Sequence, residues 1–256
     1  MNLTEDNYFS RDAEIRYMSN SQFKNFLRCQ ASALAELNGE YQRERSAAML
    51  LGSYVDEALT GDLERFKVEN PELFKRDGTL KSDYVLADTM IERCRRDKLF
   101  MEYLDGEYQK IMVGEISGVP FKIKIDCLHP DKIVDLKTTK SFGSVYDPDE
   151  CGRVPWFMEY NYALQATVYQ TIVEQNTGKR LPFYLAAVTK EKSPDIAVIE
   201  IVQEDMDAQM KKVQELAPMF QAIKMGIVEP ERCELCDYCK ATKVLSEPMK
   251  SNDMWF

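Results

Sequence analysis

The sequence has no run approaching the roughly 18 consecutive apolar residues of a membrane-spanning helix. Its opening residues, MNLTEDNYFS, carry neither the basic nor the apolar stretch of a secretory signal. A protein kept in the cytoplasm, with no membrane partner, is expected. Cationic excess is also missing: 33 Lys and Arg stand against 43 Asp and Glu, a net charge of −10. That balance argues against a module that coats nucleic acid, since such binding rests on cations neutralising phosphates. It leaves room for a protein that holds nucleic acid in one local channel, because a basic groove can coexist with an acidic exterior. Histidine is nearly absent, and the single His129 falls in a turn between expected strands, a structural rather than a catalytic place.

Seven cysteines without an export signal sit in reducing surroundings and do not build a disulfide framework, so their spacing is read for metal. Cys94, Cys127 and Cys151 are scattered and read as ordinary small apolar residues. Cys233, Cys236 and Cys239 fall within one short segment, and three soft thiolates so close prefer zinc or iron–sulfur over magnesium. A fourth ligand must come from elsewhere, and unligated thiols remain an alternative.

At 256 residues, 45% hydrophobic and 30% charged, the chain can bury one substantial core. It reads as a single domain, residues 1–256: a mainly helical part (1–105), a sheet-and-helix part (106–202), and a helix with a Cys-bearing tail (203–256). Helical spacing predicts one helix over 19–38, with Ser19 or Ser21 as N-cap and Gly39 as its stop. Others are expected over 44–60, ending at Gly61, and over 83–104, with a loop holding a short ordered piece at 62–82. The period then changes to two. Segments 107–116, 118–128 and 131–138, separated by Ser117-Gly118 and His129-Pro130-Asp131, read as three consecutive antiparallel strands. A helix over 156–176, a strand pair at 181–190 and 195–202, and a helix over 203–225 kinked or broken at Pro218 complete an α/β pattern.

Strand alternation in FKIKIDC puts Lys122, Lys124 and Asp126 on one face and Ile123, Ile125 and Cys127 on the other. The next strand places Asp135 and Lys137 together on one face, so a short turn lets Asp126 and Asp135 converge. Two carboxylates about 4 Å apart repel by about 4 kcal/mol at an effective dielectric near 20. A divalent cation removes that penalty, and hard oxygen ligands suit Mg2+ or Mn2+. Such an ion activates water and stabilises charge on a phosphate, while a lysine positions the water and offsets developing charge. Lys137 fits that role, with Lys124 and Lys140 as candidate phosphate contacts. Taken alone, Asp-x-Lys equally describes a half-exposed strand with ordinary charges.

Asp126, followed nine residues later by Asp135-Leu136-Lys137-Thr138-Thr139 and then by a helix carrying Gln165 and Tyr169, resembles the RecB-like branch of the PD-(D/E)xK nucleases, closest to RecE-type phage recombination exonucleases. The resemblance spans roughly residues 19–240. It implies a restriction-endonuclease-like core, a small central mixed sheet flanked by helices. It further implies that Asp126 and Asp135 bind metal, that Lys137 assists the water, and that Gln165 and Tyr169, four apart on one helical face, support the site. Where such nucleases carry Gly-x-x-x-His, this chain has Gly52 and Asp56, so Asp56 becomes the expected third Mg2+ ligand. AddB-type helicase–nuclease subunits and CRISPR-adaptation nucleases close a 4Fe-4S cluster with one N-terminal and three C-terminal cysteines. Cys29 resembles the N-terminal one, beside Cys233, Cys236 and Cys239, although the usual spacing between the second and third C-terminal cysteines is longer. Such a cluster would be structural, since it closes a loop of about 200 residues.

By resemblance the activity is metal-dependent digestion of linear double-stranded DNA from its ends, leaving single strand for a RecT-like annealing partner, with a ring-shaped homo-oligomer retaining the DNA. The alternatives are a non-catalytic DNA-binding or assembly protein of the same fold and a structure-selective repair endonuclease.

Overall fold

The computed structural model describes residues 2–43, 46–147, 151–245 and 248. Its first part is helical: α1 (Arg11–Arg16), α2 (Asn20–Arg28), α3 (Gln30–Asn38), α4 (Ala47–Thr60), α5 (Leu63–Glu69), α6 (Ser82–Arg95) and α7 (Lys98–Tyr103). The expected helix over 19–38 is two helices. Ser19 caps α2 by accepting the Gln22 N–H, and Gly39, at φ 78°, ends α3. Between them Cys29 is extended at φ −165° and ψ 113°, which turns its sulfur toward Cys239, so a tertiary contact overrides helical spacing. The expected helix over 83–104 also divides, because Asp97 accepts the Phe100 N–H and starts α7. Residues 62–82 hold more order than a loop: Asp62 caps α5, and a bridge joins Phe74 to Leu80. Helix α4 starts on the Ser46 cap and ends at Gly61; positions 44–45 of the expected helix lie outside the described residues.

The sheet follows as β1 (Glu107–Ile116), β2 (Val119–Leu128) and β3 (Ile133–Thr139), with a small ribbon of β4 (Val145–Asp147) and β5 (Gly152–Val154) leading to α8 (Trp156–Glu159) and α9 (Tyr162–Thr177). Next come β6 (Phe183–Thr189), β7 (Ile196–Ile201), α10 (Gln203–Lys224) and α11 (Asp237–Ala241). The five-stranded order is β1-β2-β3-β6-β7, antiparallel except for the parallel pair β3–β6, which α9 connects. Asn161, in the left-handed region at φ 50°, separates α8 from α9 where one helix over 156–176 is expected. Helix α10 runs through Pro218 without a break. Pro218 is on the exposed face, where the carbonyl freed by its missing N–H can be satisfied by water.

Two apolar layers cover the sheet. Ile133, Phe183 and Leu185 pack with Leu164, Val168 and Ile172 of α9 and with Phe220 of α10. On the other side Val134, Leu136 and Ala186 pack with Tyr54 of α4 and Met90 of α6. At about 25 cal/mol per Å2 of apolar area removed from water, these faces supply the main drive for the fold. The mixed sheet between helical layers is an α/β architecture.

Strict alternation fails in β2. Ile123 and Ile125 join the α9 layer, but Cys127 joins the α4–α6 layer. Lys122 is fully buried, with its ammonium bonded to Tyr8 O at 2.5 Å and Glu14 Oε1 at 2.6 Å. The cause is strand pairing: β2 pairs with β3 only at Cys127↔Val134 and Leu128↔Ile133. Before those residues its free edge is taken by the N-terminal segment, through Met18 N to Pro120 O at 2.8 Å and Lys122 N to Met18 O at 2.9 Å.

Candidate active site

The parting of β2 from β3 opens the cleft that holds the acidic residues. Beyond Cys127↔Val134 the Leu136 N–H finds no β2 carbonyl and donates instead to Asp126 Oδ2 at 3.0 Å. Asp135, only 1% exposed, stands opposite and accepts at Oδ1 from Gln165 Nε2 at 2.6 Å. Its Oδ2 is buried and pairs directly with the Lys137 ammonium. Tyr169, one turn beyond Gln165 on α9, donates its hydroxyl to Lys124 O at 3.0 Å and packs edge-on against Phe183. Thus α9 holds one carboxylate through Gln165 and the departing strand through Tyr169.

Helix α4 brings the third carboxylate. A Cβ on Gly52 would lie 3.3 Å from Thr138 Oγ1, so the absent side chain lets the helix lie close against β3. One turn on, Asp56 Oδ1 accepts from Thr60 Oγ1 at 2.9 Å. Burial, followed by repulsion from Asp135 and Asp56, pushes the Asp126 carboxyl well above the ordinary range. Burial also raises Asp56. Burial opposes the charge on Lys137, but the Asp135 and Asp126 carboxylates outweigh it and raise that group further.

Hard carboxylate oxygens near one another, and repulsion between them that a bound positive charge would relieve, suit the chemistry of a divalent cation. The donors fit such an ion, and Asp126 and Asp135 are the residues that would hold it. Asp56 is nearby but turned to Thr60.

Lys24 of α2 also comes to this place. Its ammonium donates to Tyr160 O at 2.7 Å and lies 5.4 Å from the centre of the Tyr162 ring, with the Lys137 ammonium 5.6 Å from the same ring. Burial, and then repulsion from Lys137, push Lys24 down to about 8. Helical spacing around Lys24 marks only a polar position, so no local signal reveals it. The two expected phosphate contacts are not side by side: Lys124 sits over Phe9 of the N-terminal segment, and Lys140 is exposed just past the end of β3. Lys190 follows the parallel β6 at that same end, its N–H bonded to Thr139 O at 2.8 Å. His129 bonds Tyr103 O at 2.8 Å, tying the β2–β3 turn to the end of α7.

Away from the cleft, Cys29, Cys233, Cys236 and Cys239 bring their four sulfurs within 4.8 Å of one another, a set compatible with a bound metal.

The family model for a PDDEXK-like domain of unknown function matches residues 19–242. The chain belongs to this PDDEXK-like family. Its mixed sheet flanked by helices is the corresponding α/β fold. A solved structure from Eubacterium rectale, named a putative exonuclease, is 40% identical over 99% of this chain and 98% of its own, with a TM-score of 0.94. A second, SSO0001, is 16% identical over 85% of this chain and 92% of its own at a TM-score of 0.33, too low to carry any argument. No curated protein matches. The family and this relative together support a nuclease of the PDDEXK-like type. Among the described residues, no helix is long and apolar enough to cross a membrane.

Proposed function

We propose that the protein is a Mg2+- or Mn2+-dependent exodeoxyribonuclease that hydrolyses linear double-stranded DNA from its ends. The observation that carries this reading is the parting of β2 from β3, beside which Asp126, Asp135 and Lys137 come together, with the Lys137 ammonium on the buried Asp135 carboxylate. Asp126 and Asp135 would hold the divalent ion, with Asp56 as the third ligand that the sequence leads one to expect. When bound, the ion would supply charge neutralisation at the phosphate and a lowered pKa for the attacking water. Lys137 orients that water and offsets charge growing on the phosphate oxygens. Gln165 fixes Asp135 in its rotamer, and Tyr169 fixes the backbone at Lys124. Lys24, Lys140 and Lys190 supply cations for DNA phosphates around an otherwise acidic protein.

The preference for ends draws on the printed name of the Eubacterium rectale relative and on the resemblance to RecE-type enzymes. The same resemblance supports a recombination role, with the single-stranded product passing to a RecT-like annealing protein and several chains encircling the DNA.

Mg2+-dependent digestion of end-labelled linear duplex DNA, with closed circular DNA alongside and Lys137→Ala as the variant, tests the reading. Loss of label from linear DNA only, abolished in the variant, is expected. Cutting of the closed circle would point to an endonuclease, and no hydrolysis by folded, metal-supplied protein would point to a binding protein.

A further inference from the structure

The four-cysteine set is far from neighbouring in sequence but closed in space: Cys29 and Cys239 are 210 positions apart, with sulfurs 3.6 Å from each other. Cys233 Sγ lies 3.9 Å from Cys239 Sγ, and all four sulfurs fall within 4.8 Å. The chain builds this closeness locally. Glu234, in the left-handed region at φ 58°, turns the Cys-x-x-Cys segment. The Cys236 N–H then donates to Cys233 Sγ at 3.3 Å, and the Cys239 N–H donates to Cys236 Sγ at 3.5 Å. A backbone bond from Ala31 N to Glu231 O, at 3.0 Å, and a bond from Glu231 N to the Gln30 side-chain Oε1, at 2.8 Å, dock the segment on α3. The helix break at Cys29 serves this assembly, delivering a buried sulfur that a continuous helix would aim elsewhere.

The separations decide the size of what fits. One tetrahedral ion with metal–sulfur bonds of about 2.3 Å sets its sulfurs about 3.8 Å apart. A four-iron core places each sulfur on a different iron and spreads the sulfurs to on the order of 6 Å, since a whole iron–sulfide cube lies between them. The observed set matches the first and is too tight for the second. We infer that Cys29, Cys233, Cys236 and Cys239 hold a single tetrahedral Zn2+, not the 4Fe-4S cluster implied by the resemblance to AddB-type nucleases. All four positions are filled by thiolates, which leaves no open coordination site, so the ion is structural. It pins the α2–α3 junction to the C-terminal segment. It thereby fixes α2, whose Phe23 meets Phe220 of α10 edge-on and whose Phe26 stacks on it, and which carries Lys24 to the cleft.

The test is metal and sulfide analysis of the full chain, expressed with iron and zinc both supplied and purified without oxygen or chelator. One zinc per chain, a colourless protein and, after cobalt exchange, the intense visible absorption of a tetrahedral cobalt tetrathiolate are expected. Cys239→Ser should lose the tight zinc, and Cys151→Ser, at an exposed position outside the set, should keep it. Because Cys239→Ser can also unfold the chain, the wild-type metal count decides. A brown protein with about four irons and four sulfides per chain would overturn the inference, as would folded wild-type protein with no metal and four reactive thiols.

Discussion

Replacing Lys137 with Met removes the one cation paired with Asp135 while keeping most of the side-chain volume. Asp135 is 1% exposed and Lys137 22% exposed as side chains. Breaking a fully buried pair costs about 3–5 kcal/mol, because an uncompensated charge remains, and losing a surface pair costs about 0.2–1 kcal/mol. The partial exposure of Lys137 and the surviving Gln165 donor place Lys137→Met at about 2–3 kcal/mol, or roughly 5–10 °C in Tm for a chain of this length. The deficit should vary with pH. Asp126 has a folded pKa raised above its unfolded value, so its contribution is present at low pH and falls as pH rises through that raised pKa. Without Lys137 to offset the carboxylates, the variant should therefore lose more at pH 8 than at pH 5. Mn2+ should return part of the loss, since a ligand at 100 times its Kd adds about 2.7 kcal/mol. Urea unfolding of both proteins without added divalent ion and in Mn2+ measures each quantity. A variant as stable as the wild type without added ion, or no Mn2+ effect on either protein, would refute the reasoning.

Gln165→Ala should cost about 1–3 kcal/mol, because it strands a buried carboxylate oxygen, and should lower kcat more than it raises KM; denaturation and steady-state DNA hydrolysis check both. Gly52→Val should push α4 off Thr138, weakening activity while leaving helix content by circular dichroism unchanged. Asp56→Asn should raise the Mg2+ concentration needed for half-maximal hydrolysis, with recovery at high Mg2+. Lys24→Gln should raise KM for DNA and lessen its dependence on salt. With Lys24 at about 8 in the folded chain and about 10.4 unfolded, the unfolded state binds more protons between those values. Wild-type stability should therefore climb with pH across that window, and Lys24→Gln should flatten the climb in pH-dependent unfolding.

Local periodicity carried much of this architecture. Alternating Ile and Val mark β1, β2 and β3, and the spacing of Asp126, Asp135 and Lys137 matches side chains that the strands bring into one cleft. Gln165 and Tyr169 could be placed on one face of α9, although only the fold shows that one reaches a carboxylate and the other a backbone carbonyl. What escaped depends on distant partners. The helix break at Cys29 exists because a sulfur 210 positions away needs it, and Lys122 is buried because Tyr8 and Glu14, more than a hundred positions away, take its ammonium. Lys24 reaches the cleft only through the packing of α2 against α10, for which its neighbours give no periodic signal. Pro218 signals a break, yet at an exposed position it leaves α10 continuous.

The central claim is that Asp126 and Asp135 hold a divalent cation where β2 leaves β3. Calorimetric titration of Mn2+ into wild-type protein, Asp126→Asn and Asp135→Asn, each confirmed folded and with its cysteine site unaltered, tests it most directly. Saturable binding in the wild type that is lost or greatly weakened in both variants is expected; no binding in the wild type, or equal binding in all three, would contradict the account.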